Sequence, residues 1–500
     1  MALAEVIQSW ASCQPERIAL RADGQDTSWR RLWNRIERAS ARLASEWQVT
    51  PGARVAYLGH NRAEEVILLY ALARVGAVLV PLNYRLVEPE WRSVLEHAGA
   101  EHLVFDAALA APARGLAALA GIPAHPVEAL IATFCPARPV FTERPGSTPV
   151  LLVYTSGTSG TPKGVLHTQE GMLWNATASI AAHDLVSSDH VLTVLPLFHV
   201  GGLCIQTVPA LAAGATVTLH ARFDAGHWLR EVEASRPSLG LMVPATLRAV
   251  LEHPRFAETD LGSLRLLMAG SSTIPVALLD AFHARGVPVG QVYGSTETGP
   301  VSIVLRAADA RRKAGLAGWP ALHSQIRLVD GDGRPVAPGD VGEIWVKGQN
   351  VARGYWRLPE HPAFCEGWFK SGDLARQDPE GCYEVVGRAK DMIISGGENI
   401  YPAELEAILA EHPDVLEAAV VGIEDERFGE APVAAVVLRQ GAALDAAAIL
   451  GLFEGRIARF KHPRRVCFVE TLPRNAMGKV QKRELAAGLR ASLSDGGHLA

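Results

Sequence analysis

Hydrophobic and polar positions along this chain follow two rhythms. Between Ser28 and about Phe105, stretches with apolar residues at helical spacing alternate with short β-rich runs, "RVAYLG" (54–59), "AVLVPL" (77–82) and "HLVFD" (102–106). That alternation predicts an α/β sheet. The opening "MALAEVIQSWASCQPERIAL" reads as an amphipathic helix; it has no basic start and carries Glu5 early, unlike a signal peptide. Residues 107–148 are rich in Ala and Pro and predict a helix with loose connections. "PVLLVY" (149–154) predicts a buried strand that delivers the chain into the glycine-rich loop "TSGTSGTPKG" (155–164).

A second alternation is sharper. "LRLLM" (264–268) predicts a strand, "AGSS" (269–272) a small-residue turn, and 275–285 a helix with Pro275 at its start. "VPVGQVY" (287–293) returns as a strand and ends in "GSTETG" (294–299). This is a βαβ unit, so both turns are expected at the carboxyl edge of one parallel sheet, where open α/β sheets bind ligands. After residue 340 the rhythm changes. "GEIWVKG" (342–348) and "GCYEVVGR" (381–388) predict short strands of a β-rich segment. A compact α+β tail is expected to follow. It has a helix at 401–412 stopped by Pro413, strands at 417–423 and 431–439, a helix near 445–458 and a strand at 464–469. The last dozen residues are expected to be disordered. The domain boundary is expected near 388–390, giving units 1–388 and 389–500, and no internal repeat is evident.

Composition narrows the function classes. Five hundred residues are about three domains' worth of chain, and 48% hydrophobic with 20% charged residues is ordinary for a soluble enzyme. A net charge of −5 gives no basic field for nucleic acid or an acidic membrane. No apolar run approaches the roughly 18 residues of a membrane span. The six cysteines are scattered without a C-x-x-C pair, as in a reducing cytoplasm, so a cytoplasmic enzyme is expected.

The glycine-rich loop fails the Walker pattern, because Pro162 stands where that motif needs its second glycine. Its backbone N–H groups, hydroxyls and Lys163 nevertheless suit a polyphosphate, although a solvated loop is nearly as good a reading of the spacing alone. Four further islands stand in the chain: "LPLFHVGGL" (195–203), "VYGSTETG" (292–299), "GWFKSGDLA" (367–375) with "GRAKDMIISGGENIYPAELE" (387–406), and "LPRNAMGKVQK" (472–482). Together with the loop and in this order, they strongly resemble the adenylate-forming family of acyl-CoA synthetases, beetle luciferases and peptide-synthetase adenylation domains. The resemblance spans nearly the whole chain. It implies an α/β fold with a large N-terminal domain of stacked α/β sheets plus a β-rich segment, and a small mobile α+β C-terminal lid. It also implies two half-reactions: a carboxylate attacks the α-phosphate of ATP to give an acyl-adenylate and pyrophosphate, and a thiol then takes the acyl group.

The resemblance also assigns residues. Thr155, Ser156, Gly157, Thr158, Ser159, Gly160 and Lys163 match the phosphate loop. Glu297 matches the carboxylate linked to Mg²⁺, a hard cation suited to carboxylate and phosphate oxygens, and Thr296 matches an α-phosphate ligand. Gly270, Ser271, Ser272 and the run Gln291, Val292, Tyr293, Gly294 match the adenine-binding segments, with Tyr293 offering a stacking face. Asp373 matches the ribose acceptor, with an Asp in a tight turn as the minority reading, and Arg388 matches a ribose or phosphate contact. Lys479 matches the catalytic lysine that bridges two anions. His199 matches a gate beside the acyl pocket, although a core or turn role is commoner for an isolated His. Lys390 matches the hinge, and Gly396 and Gly397 the pantetheine tunnel. Phe460, His462 and Arg464 match CoA contacts, a mapping that a solvated basic strand edge would explain equally. Ser371 stands where Thr is commoner and keeps the hydroxyl, so an active enzyme is expected.

The acyl pocket is expected to include His199, Val200, Gly201, Gly202, Val243, Ala269, Gly294 and Thr298, a lining without Arg or Lys. Gln291 occupies the place where an arginine would have suggested a dicarboxylate. These features point to an apolar monocarboxylic acid, aromatic or fatty, with tandem Gly201–Gly202 leaving width for a ring. A succinylbenzoate-type acid stays open, because hydroxyls at 271, 272 and 298 offer a hold on a second carboxylate. CoA is the expected acceptor, ATP and Mg²⁺ the other requirements, and a homodimer is compatible with the sequence. The rival readings are an adenylation enzyme loading a separate carrier protein and a non-catalytic nucleotide-binding regulator. An α/β hydrolase fails for want of a G-x-S-x-G stretch.

Overall fold

The computed structural model describes residues 2–132, 145–155, 163–271, 274–395, 398–425, 427–475 and 478–494. The chain divides into two compact units. One comprises 1–271, 280–326 and 345–370; the other comprises 272–279, 327–344 and 371–500.

The first unit is built on two sheets. Among the described residues, one has nine strands. Its interior is a run of parallel neighbours: Val289–Tyr293, Leu266–Gly270, Leu239–Met242, His190–Thr193, Thr216–Leu219 and Ile18–Ala22. Gln25–Ser28 closes one edge antiparallel, and Ile303–Leu305 with Trp319–Pro320 closes the other. The six-stranded sheet runs parallel through Ala124–Pro126, His102–Phe105, Arg54–Leu58, Val78–Leu82 and Pro149–Thr155. Lys163–Thr168 then turns back antiparallel on Pro149–Thr155, setting Thr155 opposite Lys163.

One continuous core joins both sheets through helices. Helix Leu3–Cys13 contributes Leu3, Ala4 and Ile7 from one face, as its amphipathic spacing requires. Helix Ala63–Val75, "AEEVILLYALARV", is apolar nearly all round, and almost every one of its residues is buried. Such a helix has no water-facing side and is stable only when packed on all sides. Gly76, at φ 84°, ends it in the left-handed conformation that glycine adopts without a Cβ clash. Helices Glu88–Ala98 and Ala110–Ala120 cover a second core on the six-stranded sheet.

The expected βαβ unit forms as strand Leu266–Gly270, helix Val276–Ala284 and strand Val289–Tyr293. The first strand takes in Ala269 and Gly270, which the sequence had placed in the turn. Hairpin Ile18–Ala22/Gln25–Ser28 has no signal in the local pattern, because its second strand "QDTS" is polar.

In the second unit, strands Val415–Asp425 and Gly429–Leu438 pair antiparallel, and Arg465–Phe468 runs parallel beside the latter. Alternate residues feed two cores. Val420, Ala434 and Val436 pack with helices Pro402–Ala410 and Ala446–Gly451 on one face. Ala419, Val421, Val433 and Ala435 pack with Leu485, Ala486 and Leu489 on the other. Those last three residues correct part of one expectation: of the last dozen residues, those up to Ser494 belong to helix Lys482–Ser494, and 495–500 lie outside the described residues. An isolated polar stretch gives little sign of this helix, because its narrow apolar face is stabilised by the sheet it covers. The helix expected near 445–458 is confined to Ala446–Gly451, capped by the Asp445 side chain on the Ala448 N–H at 2.7 Å. No described helix is long and apolar enough to cross a membrane.

Candidate active site

Strands Leu266–Gly270 and Val289–Tyr293 are parallel, with Gly270 opposite Val292, so the residues after each leave the same sheet edge. Close packing explains two of the glycines there. A Cβ on Gly270 would lie 2.6 Å from the Val292 carbonyl oxygen, and one on Gly294 would lie 1.7 Å from that of Pro300. Ser271 holds φ 73°, a left-handed backbone that a non-glycine residue adopts only when its surroundings impose it. Gln291 is partly buried, and its Nε2 has no hydrogen-bond partner among the described residues.

After Tyr293 the chain forms one 3₁₀ turn, Thr296–Thr298, with Thr296 and Thr298 buried and Glu297 partly exposed. Distant residues clamp this turn. Asn350 Nδ2 donates to the Thr298 carbonyl at 2.6 Å, and the Ala352 N–H donates to the Glu297 carbonyl at 2.8 Å. Asn175 Oδ1 accepts the Val301 N–H at 3.1 Å. The Thr298 hydroxyl receives the Ser295 N–H at 3.0 Å and the Ser302 hydroxyl at 2.8 Å, and lies 3.2 Å from the Ser295 carbonyl as a donor. Its single proton and both acceptor sites are thereby used within the protein.

Tyr355 connects this turn to Lys163, the first residue of strand Lys163–Thr168. Its hydroxyl donates to Glu297 Oε1 at 2.8 Å, and Lys163 Nζ lies 5.0 Å from its ring centroid. Burial, reinforced by Glu297, pushes the Tyr355 phenol well up, so it stays a protonated donor. Lys163 Nζ is also 3.0 Å from His361 Nε2, while the Ala363 N–H donates to His361 Nδ1 at 3.2 Å. Burial and then Lys163 lower the His361 pKa. A neutral imidazole has one acceptor nitrogen, so the two donors compete and the Lys163 contact is a displaceable one.

His199 is partly buried, and the Gly201 N–H donates to its Nδ1 at 3.0 Å. Its proton therefore sits on Nε2. Gly201–Thr207 forms a buried π-helical turn, a rare geometry often found at functional sites. The missing Cβ of Gly202 faces backbone, 2.4 Å from the Leu195 carbonyl oxygen, so this glycine serves close packing; any width for a ring rests on Gly201. Val200 and Ala269 are buried, and Val243 is the partly buried residue preceding helix Pro244–Leu251.

In the second unit Asp373 lies within strand Trp368–Gln377, which removes the tight-turn reading. It is set opposite Arg388, whose Nε is 2.9 Å from Asp373 Oδ1. The Ser371 hydroxyl accepts the Asp373 N–H at 3.0 Å and donates to the Ile344 carbonyl at 2.7 Å, which accounts for a hydroxyl residue there. Lys390 is exposed on the 3₁₀ turn Ala389–Asp391 directly after strand Tyr383–Arg388. The Lys479 backbone is paired with Asn475: Asn475 Oδ1 accepts its N–H at 3.0 Å, and its carbonyl accepts the Asn475 N–H at 2.9 Å. Phe460 and Arg464 are exposed, Arg464 lying 4.4 Å over the Phe428 ring, whereas His462 Nε2 is turned inward to the Ile457 carbonyl at 3.0 Å. Phe460 lies on the 3₁₀ turn Arg459–Lys461, ahead of the strand that starts at Arg465. Ser156, Gly157, Thr158, Ser159, Gly160, Ser272, Gly396 and Gly397 lie outside the described residues.

Residues 7–356 match the model of the AMP-binding enzyme family, and residues 404–479 match that of the AMP-binding enzyme C-terminal domain. The chain belongs to the AMP-binding enzyme family. This AMP-binding enzyme is 46% identical to the indoleacetate–CoA ligase of Aromatoleum aromaticum, over 97% of its own length and 98% of that protein's. It is 39% identical to a feruloyl-CoA synthase of an Amycolatopsis species, with 95% and 96% of the two chains covered. Its fold matches the solved o-succinylbenzoate CoA synthetase of Bacillus subtilis in complex with the acyl-adenylate intermediate, with TM-score 0.87, 33% identity, and 96% and 97% of the chains covered.

Sequence reading missed Tyr355, His361, Asn350 and Asn175 in the AMP-binding enzyme. None belongs to a local motif, and each acts on the site from a distant segment. The residues present fit a hard divalent ion: Glu297 is a partly exposed carboxylate with one oxygen oriented by Tyr355.

Proposed function

We propose that this enzyme is an AMP-forming carboxylate–CoA ligase that activates an apolar, preferably aromatic, monocarboxylic acid with ATP and passes the acyl group to CoA. The observation that carries this reading is the joining of Lys163, Tyr355 and Glu297 at the end of the parallel strands, which sets a cation and a carboxylate where a nucleotide's phosphates would lie. Glu297 would hold Mg²⁺, which neutralises phosphate charge when bound. The glycine-rich loop and Lys163 hold the leaving pyrophosphate, Thr296 the α-phosphate, and Gly270–Ser272 with Gln291–Gly294 the adenine. Asp373 accepts the ribose hydroxyls, with Arg388 beside it. Lys479 draws the acid's carboxylate to the α-phosphate by offsetting the repulsion of two anions. Residues 389–500 act as a lid that turns at Lys390, and Gly396, Gly397, Phe460, His462 and Arg464 receive CoA.

Two of the relatives are named for indoleacetate and ferulate, ring-bearing acids, which supports an aromatic substrate here. A succinylbenzoate-type acid is the second reading, favoured by the likeness to the Bacillus subtilis synthetase. The occupied Thr298 hydroxyl weighs against it, because that group has no hydrogen-bonding capacity left for a second carboxylate. A cytoplasmic location fits the five described cysteines, all free thiols. The test is ATP–pyrophosphate exchange across aromatic, fatty and dicarboxylic acids, repeated with CoA and with the product mass read out. Aromatic acids are expected to support exchange and to yield the CoA thioester. Exchange with dicarboxylates alone would overturn the apolar pocket, and adenylate without CoA-dependent release would point to a carrier protein as acceptor.

A further inference from the structure

A second cluster of chemically capable side chains lies in the first unit, on the nine-stranded sheet, where Thr216–Leu219 is separated from Leu266–Gly270 by two strands. His220 follows strand Thr216–Leu219, and His227 and Glu231 lie four residues apart on helix Ala225–Ser235. That spacing puts both on one helix face. One ligand atom from each of the three falls within 4.8 Å of the others, and His220 Nε2 is 3.9 Å from Glu231 Oε2.

His220 is the unusual member. It is 3% exposed, and neither ring nitrogen has a hydrogen-bond partner among the described residues. Its backbone, by contrast, is fixed: the N–H donates to the Thr193 carbonyl at 3.0 Å, and its carbonyl accepts from Asn61 Nδ2 at 3.1 Å. A buried imidazole without partners is costly unless something occupies its lone pair. The ring borders an open pocket of about 660 Å³, which His227 and Glu231 also line. Around it Asp23, Asp26 and Asp224 outnumber Arg21 and Arg222, so the surroundings favour a cation.

We propose that His220, His227 and Glu231 bind a divalent transition ion of the zinc class, with further coordination open to the pocket. Two imidazoles and a carboxylate are the donor set that zinc, cobalt and nickel accept, and they do not suit magnesium or calcium. The two rings lie face to face, with centroids 3.9 Å apart and planes 5° apart. An ion lies in the plane of each imidazole that binds it, so binding would require exposed His227 to turn about its Cβ–Cγ bond toward the side that His220 and Glu231 face. The bound ion clasps the end of strand Thr216–Leu219 to the first turns of the helix. The assignment does not depend on the adenylation reading.

The test is titration of the untagged, metal-stripped full chain with Zn²⁺ by calorimetry and with Co²⁺ by visible absorption. One equivalent is expected to bind, with cobalt bands indicating nitrogen ligation, and zinc is expected to raise the unfolding temperature. His227→Ala and Glu231→Gln should each weaken binding by about 100-fold and abolish the thermal shift, while leaving the metal-free unfolding temperature unchanged. Absence of a stoichiometric site, or binding that survives both substitutions, would overturn the proposal.

Discussion

Tyr355 and Glu297 lie 58 residues apart in the chain and are joined by a 2.8 Å hydrogen bond from the phenol to the carboxylate. The bond fixes the carboxylate's orientation through a side chain that no local motif contains. Outer-shell partners of this kind orient a group that must meet a metal or a charge in one geometry.

Removing the two groups should separate their roles. Glu297→Gln is expected to lower the pyrophosphate-exchange rate by at least about 100-fold, the scale of losing a group aimed at developing charge. Tyr355→Phe should cost about tenfold and raise the Mg²⁺ concentration needed for half-maximal rate. Magnesium titration of both variants measures this; an unchanged Mg²⁺ requirement in Tyr355→Phe would remove the orienting role.

Lys163 and His361 give a contrasting case. The Ala363 N–H and the Lys163 ammonium compete for one imidazole acceptor, so the Lys163 contact is weak. Lys163→Ala is expected to raise the KM for ATP about tenfold, as loss of a charge-assisted hydrogen bond does, and His361→Ala to change it less than about threefold. Equal damage from both substitutions would make the histidine part of the phosphate-binding machinery.

Lys479 should divide the two half-reactions. Lys479→Ala is expected to abolish adenylate formation while sparing thioester formation from supplied acyl-adenylate. Asn475→Ala, which frees the Lys479 N–H from its 3.0 Å partner, should reduce adenylation alone by about tenfold. Single-turnover assays of each half-reaction decide the matter; parallel loss of both would refute the role.

Acid sensitivity follows from two core histidines. His167 and His183 are buried, and burial lowers each from 6.5 to about 4. In the unfolded chain they titrate near pH 6.5, so between these values the unfolded state binds more protons. Their contribution is complete above that window and is lost as pH falls through it, on the order of 3 kcal/mol for each. Urea unfolding at pH 7.5, 5.5 and 4.5 should show the midpoint dropping stepwise, and a flat profile would contradict it.

Local pattern carried much of this protein. Strand–helix–strand alternation, the glycine-rich loop and the order of five motif islands are properties of neighbouring residues, and they read as an α/β adenylate-forming enzyme from the sequence alone. Three-dimensional registration decided the rest. Helix Lys482–Ser494 exists because Leu485, Ala486 and Leu489 find an apolar sheet face, which its own composition does not reveal. Asp373 proved to be a strand residue set opposite Arg388, and Gly202 a packing glycine against the Leu195 carbonyl. Tyr355, Asn350 and Asn175 reach the Thr296–Thr298 turn and its flanks from segments tens to more than a hundred residues away, and Lys163 meets His361 across 198. Periodicity reports which face of an element is apolar, but a hydrogen bond between distant segments depends on how elements are aligned in space. That is why the chemistry of this enzyme was legible in its motifs, whereas the side chains that aim that chemistry became visible only in the fold.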